Sequence, residues 1–217
     1  MQNFIHHIPT AIYFGKGQIQ ALNQELKSRA KKILIVTGGG SVKRYGIFDA
    51  VAKQVKKANV SYVELPGIQP NPRLKSVYKG IEICKKESVD FILAVGGGSV
   101  IDAAKAIAAG VKYKADVWDF FIKDIQPADA LPIGTVLTVA AAGSEMNSHA
   151  VISKEDSKRK LAFSSALLRP QFSILDPEYT YTVNKYHTAA GVVDIMAHVF
   201  EQYFSLEKGA YAQDRLA

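Results

Sequence analysis

Two short runs of branched apolar residues, KILIVT at 32–37 and DFILAV at 90–95, contain almost no polar positions, and each leads into a glycine run, GGGS at 38–41 and GGGS at 96–99. A continuous apolar run of this length that ends in glycine reads as a strand buried on both faces. Apolar positions recur at three- and four-residue spacing over 18–29, 45–58, 73–87 and 99–110, which predicts helices with one buried face. SYVELP at 61–66 and LPIGTVLT at 131–138 supply two further strands. This alternation of strand and helix predicts an α/β fold whose parallel sheet is covered by helices on both faces.

From about residue 187 the pattern changes. HTAAGVVDIMAHVFEQYFSLEK has helical spacing and no strand signal, so a helical region is expected here. The last residues, GAYAQDRLA, still read as helix and carry no glycine cap or proline, as if the chain ended within an element. The expected organisation is an α/β domain over residues 1–180 and the beginning of a helical domain over 181–217.

Composition fits this picture: 48% of the 217 residues are hydrophobic and 22% charged, the balance of a globular protein rather than of a disordered chain or a fibre. No apolar stretch reaches the ~18 residues of a membrane span, and MQNFIHHIPT lacks the basic start and apolar core of a secretion signal, so the expected location is cytoplasmic. The net charge of +7 is spread over several helices, as in RAKK at 29–32 and KQVKK at 53–57, without interleaved aromatics, and nucleic acid is not expected as a partner. Cys84, the single cysteine, reads as a packing residue.

The chemistry lies in the glycine turns. In FILAVGGGSVIDAAKAIAAG, glycines that permit positive φ and close approach lead into a helix start whose free N–H groups and dipole favour anionic oxygen, a cradle for a diphosphate. Ser99 and Asp102 have the spacing of a capping box. The usual G-x-G-x-x-G fingerprint is absent because Ile101 stands where the third glycine would fall, and the Gly-Lys-Ser/Thr end of a P-loop is also missing. After the first glycine run no carboxylate occurs between Gly38 and Arg44 to accept ribose hydroxyls; Ser41, Lys43 and Arg44 instead suit the 2′-phosphate of NADP, which is expected over NAD.

Seven strings in order carry a resemblance: YFGKG at 13–17, TGGGSVKRYG at 37–46, QPNPR at 69–73, AVGGGSVIDAAKAIA at 94–108, AAAGSEMN at 140–147, LDPEYTYT at 175–182 and TAAGVVDIMAHVFEQYF at 188–204. Through them the chain resembles the iron-containing (group III) alcohol dehydrogenases, especially the butanol dehydrogenase branch. That resemblance implies a parallel-sheet dinucleotide-binding domain followed by the start of an all-helical domain, an oxidoreductase activity between a nicotinamide cofactor and a small alcohol or aldehyde, and homodimers of the full-length enzyme. It assigns Gly38, Gly39, Ser41 and Asn71 to the adenosine end of the cofactor, Gly97, Gly98 and Ser99 to the pyrophosphate, Asp102 to the nicotinamide side, and Thr138, Asn147, Lys160 and Tyr179 to further contacts. Read without it, Lys160 in the charged turn EDSKRK is a solvated lysine. One departure is plain: Ala141 and Ala142 stand where many relatives have Gly-Thr, so that threonine contact is not carried over.

Asp194 and His198 lie four apart, which puts both side chains on one helix face at a spacing two ligands of one metal need. Such a pair arises by chance roughly once per thousand positions at average usage, so the spacing is weak and the surrounding TAAGVVDIMAHVFE makes it specific. The resemblance implies that the pair binds iron(II) or zinc, with two further histidines from later helices, and that the metal polarises the substrate oxygen during hydride transfer. His6, His7, His149 and His187 fall outside the ligand positions. Two ligands leave the metal site incomplete, so residues 1–217 by themselves are expected to be inactive. The alternatives are a glycerol dehydrogenase-like enzyme and a non-catalytic nucleotide-binding module.

Overall fold

The structure, a computed structural model, describes residues 7–204 and Arg215. In chain order it contains β1 (Ala11–Phe14), α1 (Leu22–Arg29), β2 (Lys32–Thr37), α2 (Ser41–Arg44), α3 (Ile47–Lys57), β3 (Ser61–Leu65), α4 (Leu74–Glu87), β4 (Phe91–Gly96), α5 (Gly98–Lys112), α6 (Asp119–Ile122), β5 (Ile133–Leu137), β6 (His149–Lys154), β7 (Arg159–Ser164), β8 (Phe172–Leu175) and α7 (Lys185–Tyr203). The chain divides into two compact units, Met1–Tyr181 and Thr182–Ala217. The expected α/β class, with a helical segment after it, is what is observed.

In the first unit β1, β8, β5, β4, β2 and β3 form one sheet in that order, and every pairing is parallel. The period of two along β2 explains how both faces are buried: Ile33 and Ile35 enter a cluster with Leu26, Val51 and Val55 of α1 and α3, while Leu34 and Val36 enter one with Val77, Ala104 and Ile107 of α4 and α5. A strand sandwiched in this way has no polar face, which is why its sequence reads as a continuous apolar run.

Glycine sets the closest approaches within these layers. A Cβ on Gly80 of α4 would lie 2.3 Å from Ile107 of α5, and one on Gly110 of α5 would lie 2.3 Å from Ile81 of α4. The two helices thus each supply a notch for an isoleucine of the other. In β5, a Cβ on Gly134 would fall 2.3 Å from the ring of Phe172, which is fully buried and stacked on Phe91 with ring centres 5.8 Å apart.

Several elements depart from the sequence pattern. β1 is a four-residue edge strand with Ile12 and Phe14 exposed, so no buried run marks it. β6 and β7 pair antiparallel outside the main sheet as a hairpin, and their alternation is masked by charged ends. The segment predicted as one helix over 45–58 begins only at Ile47, because Gly46 adopts φ +73° and separates α3 from α2. β5 starts at Ile133, just after Pro132, which has no N–H to donate to a ladder. Cys84 is buried as expected, and burial pushes its thiol up to about 12.

The second unit is described through α7. Asn184 caps it, its Oδ1 accepting from His187 N at 2.9 Å. Val192, Val193, Ile195 and Met196 are exposed. His6 and, apart from Arg215, the helix expected over residues 209–217 lie outside the described residues. No helix among the described residues is long and apolar enough to cross a membrane.

Gly134→Ala forces a methyl into the Phe172 ring in a layer with no slack. Overpacking of this kind costs about 1–3 kcal/mol. Denaturant unfolding is expected to show that loss, with a lower midpoint and an unchanged m-value.

Candidate functional site

A sheet with parallel pairing throughout places every strand's C-terminal end on one edge, and the candidate residues gather there. Gly38, Gly39 and Ser41 follow β2, Asn71 follows β3, Gly97, Gly98, Ser99 and Asp102 follow β4, Thr138 and Asn147 follow β5, and Tyr179 follows β8. The chain leaves β2 for β3 on one side and later returns to β4 on the other, so the two glycine turns face each other where the strand order reverses. That crevice is where open α/β sheets hold ligands.

The two turns use glycine differently. In the first, Gly40 adopts φ +108° and Gly39 has open space where a Cβ would stand. Gly38, Gly39, Gly40, Lys43, Pro66 and Gly67 line a cleft of about 250 Å³. In the second, positive φ is not the reason. Gly97 has φ −89°, and what demands glycine is proximity: a Cβ there would lie 3.4 Å from Val139, and one on Gly98 would lie 3.2 Å from Ala142. A larger shallow depression of about 540 Å³ beside Lys53, Lys56 and Tyr62 reaches Val60 and Ser61 at the start of β3, on the opposite edge of the sheet from the glycine turns.

The expected Ser99–Asp102 capping box does not form. Gly97 is the residue before α5, so Ser99 stands inside the helix, and its Oγ accepts from Asn71 N at 3.3 Å. Asn71 adopts φ +55°, and its Oδ1 accepts from Lys160 Nζ at 2.7 Å. A chain of contacts thus joins three candidate residues from three separate segments of the chain. The hairpin brings Lys160 there, because β6 is docked on the 70–73 segment through Ser153 N, which donates to Pro72 O at 2.9 Å.

Asp102 faces the other way. Its Oδ1 accepts from Ser144 Oγ at 2.7 Å and its Oδ2 from Val151 N at 3.1 Å, and burial raises its pKa against the pull of those two donors. One turn on, Lys105 is fully buried. Its ammonium donates to Ser144 O at 2.7 Å, Ser144 Oγ at 3.1 Å, Asn147 O and Oδ1 at 2.9 Å each, and His149 O at 3.0 Å. Burial pushes Lys105 down to about 8, opposed by the carboxylates of Asp102 and Glu145. Two neighbouring carbonyls of the same loop find other donors: Glu145 O accepts from Ser173 Oγ at 2.7 Å and Met146 O from Arg169 Nη1 at 3.0 Å. A loop without regular structure must satisfy its carbonyls with side chains, and these three residues do so.

Thr138 is buried at the end of β5, its N–H donating to Gly96 O at 3.1 Å. Tyr179 sits half-buried in a 3-10 turn, Pro177–Thr180, with its hydroxyl pushed up to about 12 by burial and by Asp176 and Glu178, so it stays protonated as a donor. Asp176 is itself buried and holds that turn to the segment after β1, accepting from Glu178 N and from Gly17 N at 2.7 Å. Lys43 and Arg44 differ in availability. Lys43 Nζ is 2.7 Å from Glu64 Oε2, whereas Arg44 lies over the Tyr45 ring and makes no ion pair among the described residues.

Asp194 and His198 stand on one exposed face of α7 with Oδ2 and Nδ1 3.9 Å apart. No group of three or more potential ligands is found among the described residues.

Lys105, Ser144 and Ser173 were not among the residues singled out from sequence. The signal for Lys105 was a lysine three residues from Asp102 in the otherwise apolar VIDAAKAIAAG; a lone cation on a buried face needs a built partner set.

With this geometry in hand, the sequence profile described as iron-containing alcohol dehydrogenase matches residues 9–177, and the chain belongs to that family. It is 54% identical over 216 residues to the protein of Bacillus subtilis named "Probable NADH-dependent butanol dehydrogenase 1", covering 100% of this chain and 56% of that protein. It is 43% identical over 222 residues to the NADPH-dependent aldehyde reductase YqhD of Escherichia coli, covering 100% of this chain and 56% of that one. The crystal structure of an NADH-dependent butanol dehydrogenase A from Thermotoga maritima superposes with a TM-score of 0.90 at 46% identity, over 94% of this chain and 52% of that one. The chain therefore spans about half the length of these relatives.

Ser173→Ala removes a fully buried hydroxyl that donates to Glu145 O and accepts from Thr135 Oγ1 at 2.7 Å. Leaving the buried Thr135 Oγ1 and the half-buried Glu145 O without this partner costs about 1–3 kcal/mol in all. Equilibrium unfolding is expected to show a loss in that range.

Proposed function

We propose that the intact protein is an NAD(P)-dependent alcohol dehydrogenase and aldehyde reductase acting on a small alcohol or aldehyde, of which butanol and butanal are the first to try. The observation that carries this reading is the pair of glycine turns after the adjacent strands β2 and β4, at the point where strand order reverses. Gly97, Gly98 and Ser99 at the start of α5 suit a diphosphate, since free helix N–H groups and the dipole attract anionic oxygen. Gly38, Gly39 and Ser41 suit the adenosine end, with Asn71 and Lys160 joined beside Ser99. Thr138, Asn147 and Tyr179 offer donors along the same edge, and Asp102 holds the loop that bears Asn147.

The donor set on α7, a carboxylate oxygen and an imidazole nitrogen 3.9 Å apart, fits a divalent ion such as iron(II) or zinc, which accepts both donor types. When bound, the metal and the nicotinamide supply Lewis acidity and a hydride donor or acceptor. A catalytic metal site commonly uses about three protein ligands. Asp194 and His198 are two, so residues 1–217 by themselves are expected to be inactive. We take residues 1–180 as the dinucleotide-binding domain and 181–217 as the beginning of the metal-binding one, in a cytoplasmic homodimer.

For the choice of dinucleotide we retain NADP, with Arg44 rather than Lys43 as the cation free to meet a 2′-phosphate, because Glu64 already holds Lys43. The relatives divide on this point: the Bacillus subtilis and Thermotoga maritima proteins are named for NADH and the Escherichia coli one for NADPH.

Two experiments on the intact protein test the reading. His198→Ala should lower kcat/KM for butanal by more than the roughly 10–100-fold that losing an outer-shell metal partner costs. Cofactor affinity by fluorescence titration should stay within about twofold, since His198 is not among the residues proposed to hold the nucleotide. Full activity in this variant removes the metal role. Gly39→Asp meets no steric obstacle and would set a carboxylate against a 2′-phosphate. The ratio of catalytic efficiencies with NADH and NADPH should move toward NADH by about tenfold, equivalent to ~1.4 kcal/mol; an unmoved ratio rejects this placement of the adenosine end.

A further inference from the structure

The Asn147 side chain has an oxygen that only accepts and an NH₂ group that only donates. The structure commits the oxygen: Oδ1 accepts from Lys105 Nζ at 2.9 Å and from His149 N at 3.0 Å. Nδ2 donates to none of the described residues. Rotating the amide by half a turn would set Nδ2 against an ammonium and a backbone N–H, two donors facing a donor. The backbone is fixed by the same cation, because Lys105 also binds Asn147 O, Ser144 O and His149 O. An ammonium has three protons, and here they are shared among five oxygens around a fully buried side chain, so moving any one oxygen weakens the set.

We propose that Lys105 is a positioning residue that locks the Asn147 amide with its oxygen inward, so that the end left for a ligand is a pure donor and receives an acceptor oxygen of the bound nicotinamide dinucleotide. The inference rests on reading the glycine crevice as a nucleotide site. It assigns Asn147 a polarity: a carbonyl, hydroxyl or phosphate oxygen is accepted there, and a group that can only donate is rejected.

Asn147→Asp tests the polarity without disturbing the lock, because an oxygen still faces Lys105 while the donor is replaced by a second acceptor. Titration of the intact protein with NADH or NADPH is expected to show binding about tenfold weaker, the scale of one lost hydrogen bond. Its thermal midpoint should be unchanged or higher, since the variant pairs a carboxylate with the ammonium. Undiminished binding overturns the proposal and leaves the nucleotide reading intact; failure of the wild-type protein to bind either dinucleotide overturns that reading and the proposal with it.

The role of Lys105 is read from a double-mutant cycle. Lys105→Met and Asn147→Ala each weaken binding, and the double variant is expected to be no weaker than the weaker single one, because Lys105 acts through Asn147. Fully additive losses overturn the positioning role. Where Lys105→Met does not fold, pH replaces it. Lys105, facing Asp102, Glu145 and Arg169 with His149 beside them, releases its proton at about 8. Wild-type affinity is then expected to fall as pH rises through that value, while Asn147→Ala is flat over the same range; equal slopes in the two proteins overturn the proposal.

Discussion

Parallel strand pairing is the constraint from which the rest of this structure follows. A parallel sheet needs a crossover after each strand, and those crossovers cover both faces with helices. The consequence for chemistry is that six strands deliver their C-terminal ends to a single edge, and residues more than a hundred positions apart in sequence meet there. Gly38, Asn71, Ser99, Thr138 and Tyr179 share a neighbourhood because of strand direction, before any side chain makes a contact.

On that edge the ordered loop after β5 is the second requirement. It carries Asn147 across the end of α5 without helix or strand, so its carbonyls would be left without donors in a buried place. Lys105, Ser173 and Arg169 supply them, and Asp102 holds Ser144 from the other side. Burying a cation in this way is tolerable only when its acceptors are complete, which Lys105 achieves with five oxygens. The family to which the chain belongs is defined by metal and nicotinamide chemistry, yet much of what the described residues contribute is this rigid support.

Much of the architecture was legible in the sequence because buried parallel strands leave an unmistakable trace. KILIVT is β2 residue for residue, and DFILAV differs from β4 by one position at each end. β1, β8 and the hairpin escaped notice because an exposed edge strand, a four-residue strand and a charged ribbon have no such trace. The glycine turns were legible as strand-to-helix turns, though the reason for glycine at 97 and 98 was not: it is the approach of Val139 and Ala142, side chains about forty residues away, and local pattern cannot report a distant neighbour. Ser99 and Asp102 show the same limit. Their spacing matched a cap, but each was claimed by a partner from another segment, Asn71 for one and Ser144 with Val151 for the other.

The interlocked notches at Gly80 and Gly110 have a mechanical consequence. α5 begins at the second glycine turn, at Gly98, and is seated against α4 at Gly110, twelve residues or about 18 Å further along its axis. It therefore behaves as a lever. A tilt of about three degrees at the seated end moves the other by roughly 1 Å, a displacement large enough to misplace a reacting group. Residues that never approach the crevice thus bear on its geometry, and a side chain added in the helix–helix seam would be felt at the glycine turn as well as in the packing.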